Sequence, residues 1–171
     1  MKIVVLMGSP NINGSTSMLV QSFRKGAEEK GHSVCVIDVC KLNIAPCTGC
    51  VACGYEGDCV QRDDNELIRQ KLLGCDMVVF ATPLYYYGMS AQLKIVVDRF
   101  CAYNSSLNRR HLKSALLTVA WNSDDWTFEA LVTYLSGHLL PAFPVLFVET
   151  VLDGDDLVLV YKALPVSNEL I

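Results

Sequence analysis

Ile3-Val4-Val5-Leu6-Met7, followed at once by Gly8-Ser9-Pro10-Asn11-Ile12-Asn13-Gly14-Ser15-Thr16, is the stretch on which the fold turns. An unbroken apolar run of this length reads as a strand buried on both faces. From Ser15 to Lys30 the apolar residues Met18, Leu19, Phe23 and Ala27 recur at helical spacing, and Gly31 stands where a glycine ends a helix. Strand, polar loop and helix in that order form the first half of a βαβ unit. Right-handed crossovers then put helices on both faces of a parallel sheet.

The rest of the chain repeats the alternation. Strands are expected at Val34–Val39, Met77–Ala81, Leu116–Ala120 and Val145–Glu149. Helices are expected at Asn65–Leu73, with Asp63-Asp64 at its positive end, at Ser90–Cys101 on Leu93, Val96, Val97 and Phe100, and at Asp125–Leu139 with Asp124 or Asp125 as cap. The tail Val151–Ile171 contains Leu157-Val158-Leu159-Val160-Tyr161, which reads as a further strand or as an arm packing on a neighbour. No repeat or linker divides the chain, so residues 1–171 are expected to form one domain, with 151–171 as an extension.

Composition narrows the function classes. The 171 residues are 51% apolar and 19% charged, with mean hydropathy +0.31, which excludes intrinsic disorder. Net charge is −4, too acidic for a phosphate-backbone footprint, so no nucleic-acid partner is expected. No apolar run reaches the ~18–20 residues of a membrane helix. The short apolar N-terminus ends at Gly8-Ser9-Pro10 without a small-residue cleavage site, so a cytoplasmic, membrane-free protein is expected. The three histidines, His32, His111 and His138, are isolated and read as structural or surface residues.

In such folds ligands bind beyond the carboxyl ends of the strands. The loops at that edge, near residues 8, 40, 82 and 121, hold the unusual residues. The first loop is a candidate phosphate cradle made of helix-start amides with Ser9, Asn11, Ser15 and Thr16; the alternative is an ordinary turn with a Ser or Thr cap. It lacks the lysine of a Walker A loop and is not G-x-G-x-x-G, although Asp38 stands where a ribose-binding acid would. The third loop, Thr82-Pro83-Leu84-Tyr85-Tyr86-Tyr87-Gly88-Met89-Ser90, is stiffened by Pro83 and opened by Gly88. Its three tyrosines cannot all enter one core. They suit stacking on a flat ring, a subunit interface, or both. In the fourth loop Trp121 either borders the ring or packs.

Gly8-Ser9-Pro10 with Asn13-Gly14-Ser15-Thr16, then Pro83 through Lys94 with Asp98-Arg99, resembles the NADPH-dependent FMN reductase family of flavodoxin-like proteins, over about residues 1 to 150. The resemblance implies an α/β three-layer sandwich, a five-stranded parallel sheet in the order 2-1-3-4-5 with helices on both faces, and bound FMN. It implies phosphate contacts at Ser9, Asn11, Ser15 and Thr16, and ring contacts at Pro83, Leu84, Tyr85, Tyr86 and Gly88; Asn13, within the first-loop motif, and Trp121, by its place at the strand end, are further candidate contacts. Relatives commonly carry Arg in place of Asn11 and Asn in place of Ser15, so less charge holds the phosphate here.

The second loop carries Cys47, Cys50, Cys53 and Cys59, spaced C-x2-C-x2-C-x5-C. Four thiolates this compact suit a cubane cluster better than zinc, which usually draws on two separated pairs. The spacing resembles the iron–sulfur flavoprotein branch of the family, which carries a [4Fe-4S] cluster. Free or redox-active thiols are the alternative. The other four, Cys35, Cys40, Cys75 and Cys101, read as small buried hydrophobes. With strand two beside strand one, the cysteine loop is expected to share an edge with the flavin loops.

Three functions follow, in order. The first is an NAD(P)H-dependent, FMN-containing oxidoreductase with no protein general base. The second is an iron–sulfur flavoprotein electron carrier served by a ferredoxin-like donor. The third is a metal or thiol sensor without flavin. Lys41, Lys94 and Arg99 are candidates to meet a nicotinamide phosphate. High apolar content, the tyrosine run and the apolar tail point to buried surface beyond one protomer, and the resemblance implies a homodimer or homotetramer.

Overall fold

Alternating side chains explain the first strand. In this computed structural model, which describes residues 1–122, 124–135, 145–153 and 156–163, Val4 and Leu6 face one core while Ile3, Val5 and Met7 face another. A strand with an apolar residue at every position is stable only between two layers.

The strands are β1 (Lys2–Met7), β2 (Ser33–Asp38), β3 (Met77–Pro83), β4 (Lys113–Ala120), β5 (Val145–Asp153) and β6 (Asp156–Ala163). The helices are α1 (Ser15–Glu29), α2 (Asn65–Leu73), α3 (Ala91–Arg99), α4 (Asn104–Arg110) and α5 (Glu129–Tyr134). The sheet order is β2-β1-β3-β4-β5-β6. Its core is the doubly wound, flavodoxin-like parallel arrangement.

The sheet differs from the expected five strands by its sixth, β6, which pairs antiparallel with β5 from Asp153↔Asp156 to Leu146↔Ala163. The open reading of the tail is thus decided for residues 156–163 in favour of a strand, and residues 164–171 lie outside the described residues. An Asp153-Gly154 dipeptide between apolar runs was the available hairpin signal.

Helix α1 covers one face through Leu19 and Val20, with Phe23 and Ala27 beside them. The other face is covered by Ile68 and Leu72 of α2, Leu93, Val96 and Val97 of α3, Leu107 of α4 and Leu131 of α5. Gly31, at φ +77°, closes α1: its N–H donates to Glu28 C=O at 2.9 Å and His32 N–H donates to Ala27 C=O at 3.0 Å.

Several boundaries differ from expectation. Helix α3 stops at Arg99, and Phe100–Tyr103 tighten into a 3-10 turn. Helix α4 was not foreseen, because Asn104-Ser105-Ser106-Leu107-Asn108-Arg109-Arg110 offers a single apolar anchor and no periodicity. Asp125–Phe128 form a 3-10 turn before the short α5, and residues 136–139 of the expected helix, His138 included, lie outside the described residues. Asp124 precedes that turn without a side-chain capping bond, Phe128 stands at the start of α5, and the side chain of Asp125 lies outside the described residues. No helix among the described residues is long and apolar enough to cross a membrane.

Candidate flavin cradle and thiol pocket

Strand register brings the first, third and fourth loops together. Met7 pairs with Ala81 and Pro83 with Val119. Gly8 N–H then donates to Ala81 C=O at 2.7 Å, and Leu84 N–H donates to Val119 C=O at 2.8 Å. The loops are cross-linked by Ser90, which is fully buried. Its hydroxyl donates to Gly8 C=O at 2.6 Å and accepts from Leu93 N–H at 3.3 Å, capping α3. Ser90 N–H donates in turn to Thr82 Oγ1 at 2.9 Å.

The first loop folds on itself without using up the helix start. The Ser9 hydroxyl and the Asn11 backbone bond each other at 3.3 Å, and Asn13 N–H donates to Asn11 Oδ1 at 3.2 Å. Gly14 occupies the cap position of α1, and no side chain caps the helix. The alternative of a Ser- or Thr-capped turn is therefore excluded. Orphan amides at a helix start, aligned with its dipole, favour an anion. Ser15 and Thr16 stand in this first turn, while Asn11 and Asn13 are exposed around it.

The third loop presents aromatic surface to solvent. Tyr86 is 98% exposed and Trp121 96%, with Tyr85 and Tyr87 half exposed. Trp121 does not pack, which removes the second of its two readings. Tyr85 and Gly88 exchange backbone bonds at 2.9 and 3.0 Å around Tyr86 and Tyr87, whose φ values are 47° and 66°. Both central residues are left-handed, as in a type I′ turn, which normally selects Asn and Gly. Two aromatic residues there cost about 1–2 kcal/mol each. Tyr87 is held by Trp126, with ring centroids 5.6 Å apart, whereas among the described residues Tyr86 makes its ring contact with Tyr87 alone. Tyr86→Asn is therefore expected to raise stability by about 1 kcal/mol. A higher urea midpoint at constant slope would show it, and a lower midpoint would refute the strain.

The cysteine loop leaves the same sheet edge and ends elsewhere. Its neck joins residues 43–46 to 61–64. Asn43 N–H donates to Asp64 Oδ2 at 2.7 Å, Ala45 N–H to Asp63 Oδ2 at 3.1 Å, and Gln61 Nε2 to Pro46 C=O at 3.0 Å. Arg99, 1% exposed, clamps it: one guanidinium nitrogen reaches Ala45 C=O at 2.8 Å and Asp63 Oδ2 at 2.6 Å, the other Asp63 Oδ1 at 3.2 Å and Gln61 C=O at 3.4 Å. Burial opposes ionisation of Asp63, but the Arg99 bonds and the amides of Ala45 and Asn65 outweigh it, so its pKa is lowered.

Cys47, Cys50, Cys53 and Cys59 all border one pocket together with Arg99, Cys101 and Ala102. These neighbours lie at the end of α3 opposite Ser90, roughly 13 Å away for a nine-residue helix. The thiols thus lie away from the edge where the first, third and fourth loops meet, which they were expected to share. Gly49 N–H donates to Cys47 Sγ at 3.5 Å, and the Ala52 N–H and Thr48 hydroxyl lower the pKa of Cys50. Gly49, Val51, Gly54 and Tyr55 are left-handed, and the loop turns tightly, with Gly54 N–H donating to Val51 C=O at 3.0 Å and Gly57 N–H to Cys53 C=O at 2.8 Å. Among the described residues no group of three or more His, Cys, Asp or Glu side chains is placed to hold a metal ion. By chemistry alone, four thiols lining one pocket, with an amide on Cys47 Sγ, suit a polynuclear cluster better than zinc.

Sequence reasoning missed Cys101, which was read as a buried hydrophobe. It is half-buried and lines the pocket beside the motif thiols; burial, then the neighbouring thiols of Cys53 and Cys47, push its pKa up to about 11. Nothing local in Arg99-Phe100-Cys101 signals a contact some fifty residues away. Of the candidate nicotinamide contacts, Arg99 is committed to the neck, Lys94 pairs with Asp98, and Lys41 bridges Asp38 at 3.1 Å. His32 lies 3.2 Å from the terminal amine, and left-handed His111 closes α4.

A family profile described as NADPH-dependent FMN reductase matches residues 1–141. An iron-sulfur flavoprotein of Archaeoglobus fulgidus is 36% identical over 103 residues, 60% of this chain and 47% of that protein. One of Methanocaldococcus jannaschii is 35% identical over 99 residues, 58% of this chain and 51% of that protein. The chain spans about half the length of these curated relatives. An NAD(P)H:quinone oxidoreductase from Methanothermobacter marburgensis shares the fold at TM-score 0.77 and 20% identity, over 91% of this chain and 87% of that one.

Proposed function

The chain belongs to the NADPH-dependent FMN reductase family, and from that premise we propose that it is an FMN-dependent oxidoreductase with a reduced nicotinamide as electron donor. The observation that carries the reading is the α1 start, left without a side-chain cap on the edge where Tyr86 and Trp121 stand exposed. An anion-seeking helix end beside bare aromatic surface suits a ligand that is phosphate at one end and a flat ring at the other.

In this reading Ser9, Asn11, Asn13, Ser15 and Thr16 hold the phosphate through neutral donors. Pro83, Leu84, Tyr85, Tyr86, Gly88 and Trp121 border the ring. FMN supplies the electron-transfer chemistry when bound. The residues orient it and shield it from water; none acts as a general base, since the described histidines lie elsewhere.

Titrating the purified chain with FMN, followed by flavin fluorescence, is expected to saturate at one FMN per chain. Anaerobic NADPH is then expected to bleach the bound flavin. A folded chain that leaves FMN fluorescence unchanged would refute the reading.

A second reading, an iron–sulfur flavoprotein electron carrier, is supported by the pocket that all four motif thiols border. Cys47, Cys50, Cys53 and Cys59 would hold a [4Fe-4S] cluster. Iron and sulfide assays after anaerobic purification separate it from the first: about four of each per chain are expected if it holds, and none if it does not.

A further inference from the structure

We propose that Cys101 is a redox partner of the cysteine loop, forming an intrachain disulfide with Cys47 or Cys53 when the pocket holds no metal. The motif supplies four thiols, yet the pocket is bordered by five sulfurs. The fifth comes from the 3-10 turn Phe100–Tyr103, directly after the helix whose last residue clamps the loop's neck. Because Arg99 and Cys101 are two residues apart, the clamp that closes the loop also sets its thiols against Cys101. Cys47, Cys53 and Cys101 line that one pocket together, the juxtaposition that exchange requires. A four-thiolate cluster leaves Cys101 over, so the inference stands apart from both functional readings.

The oxidant is a low-molecular-weight disulfide such as oxidised glutathione. The exposed Cys47 attacks one of its sulfurs. A Cys47–glutathione bond forms, and one glutathione leaves with the proton Cys47 gives up. Cys101 then attacks Cys47 Sγ, the mixed disulfide breaks, and the second glutathione leaves carrying the Cys101 proton. Two protein thiols are oxidised and one glutathione disulfide is reduced to two thiols. Exchange of the new bond with the adjacent Cys53 yields the alternative pairing.

The test uses the full chain, freed of iron anaerobically with a ferrous chelator and dithiothreitol, desalted, and shown to carry eight free thiols. After oxidised glutathione, two thiols are expected to be lost. A non-reducing peptide map should then join Cys101 to Cys47 or Cys53. Under the same treatment Cys101→Ser should form no intrachain disulfide and should accumulate glutathione on Cys47. The proposal is overturned if all eight thiols survive, if the bridge excludes Cys101, or if Cys101→Ser forms an intrachain disulfide as readily. Because the readout on the unmodified chain is the map itself, it holds whether or not the variant folds.

Discussion

Replacing Arg99 by alanine is expected to lower the folding free energy by about 3–5 kcal/mol, the cost of stripping one partner from a buried ion pair. Arg99 is 1% exposed and the Asp63 side chain 9%, so the carboxylate left behind would keep the amides of Ala45 and Asn65 but have neither hydration nor a cation. The carbonyls of Ala45 and Gln61 would lose their donor as well. Chemical denaturation measures the loss, and a cost below about 1 kcal/mol, typical of surface pairs, would refute the buried role. Replacing both partners by apolar residues of similar size should recover much of it.

The pair also makes a pH prediction. The Asp63 pKa is lowered below 3.8 in the fold, so the unfolded chain binds the proton more readily. Its stabilisation is fully present above that unfolded value and is lost as pH falls through the folded one. The wild-type chain should therefore lose stability over the acid range more steeply than Arg99→Ala, which lacks the pairing. Because both ends of the cysteine loop hang on this guanidinium, the variant should also be cleaved by protease between residues 46 and 61 before the sheet unfolds. Uniform cleavage along the chain would show that the neck is not a separate unit.

Gly8→Ala is expected to weaken FMN binding by roughly ten- to a hundred-fold and to destabilise the chain by about 1–3 kcal/mol. A Cβ at residue 8 would lie 2.6 Å from Leu93 Cβ and 2.9 Å from Ser90 Oγ. Neither is the free end of a flexible side chain: Leu93 Cβ is fixed to α3, and Ser90 Oγ is held by its bonds to Gly8 C=O and Leu93 N–H. The methyl group must push the first loop away from α3, parting the proposed phosphate cradle from the ring loop. FMN titration and denaturation on the same samples measure both effects. Unchanged affinity in a destabilised variant would mean that the Gly8–Ser90 joint serves folding alone.

Much of the frame was legible in advance because it rests on local patterns. The Ile3–Met7 run, the helical spacing from Met18 to Ala27 and the stop at Gly31 each reflect one element meeting one layer. Helix α4 was illegible for the same reason: its lone anchor, Leu107, carries no period. The cradle was half legible. Gly8, Ser9 and Ser15 marked a ligand loop, but Ser90 as its cross-link required the register of β1 against β3. The thiol pocket was read as a motif and could not be placed, since Arg99 and Cys101, at and just after the end of α3, lie some forty residues further along the chain.

By itself the chain's order of residues determined the alternation of strands and helices, the burial of β1 on both sides, and the spacing of four thiols, because hydrophobic period and short-range spacing are local quantities. Tertiary structure alone decided that Ser90 closes onto Gly8, that Arg99 clamps the neck of the cysteine loop, that Cys101 joins its pocket, and that this pocket lies a helix length from the proposed flavin edge. Each of those contacts joins residues more than thirty positions apart. Their geometry depends on sheet register and helix length, which no local pattern encodes.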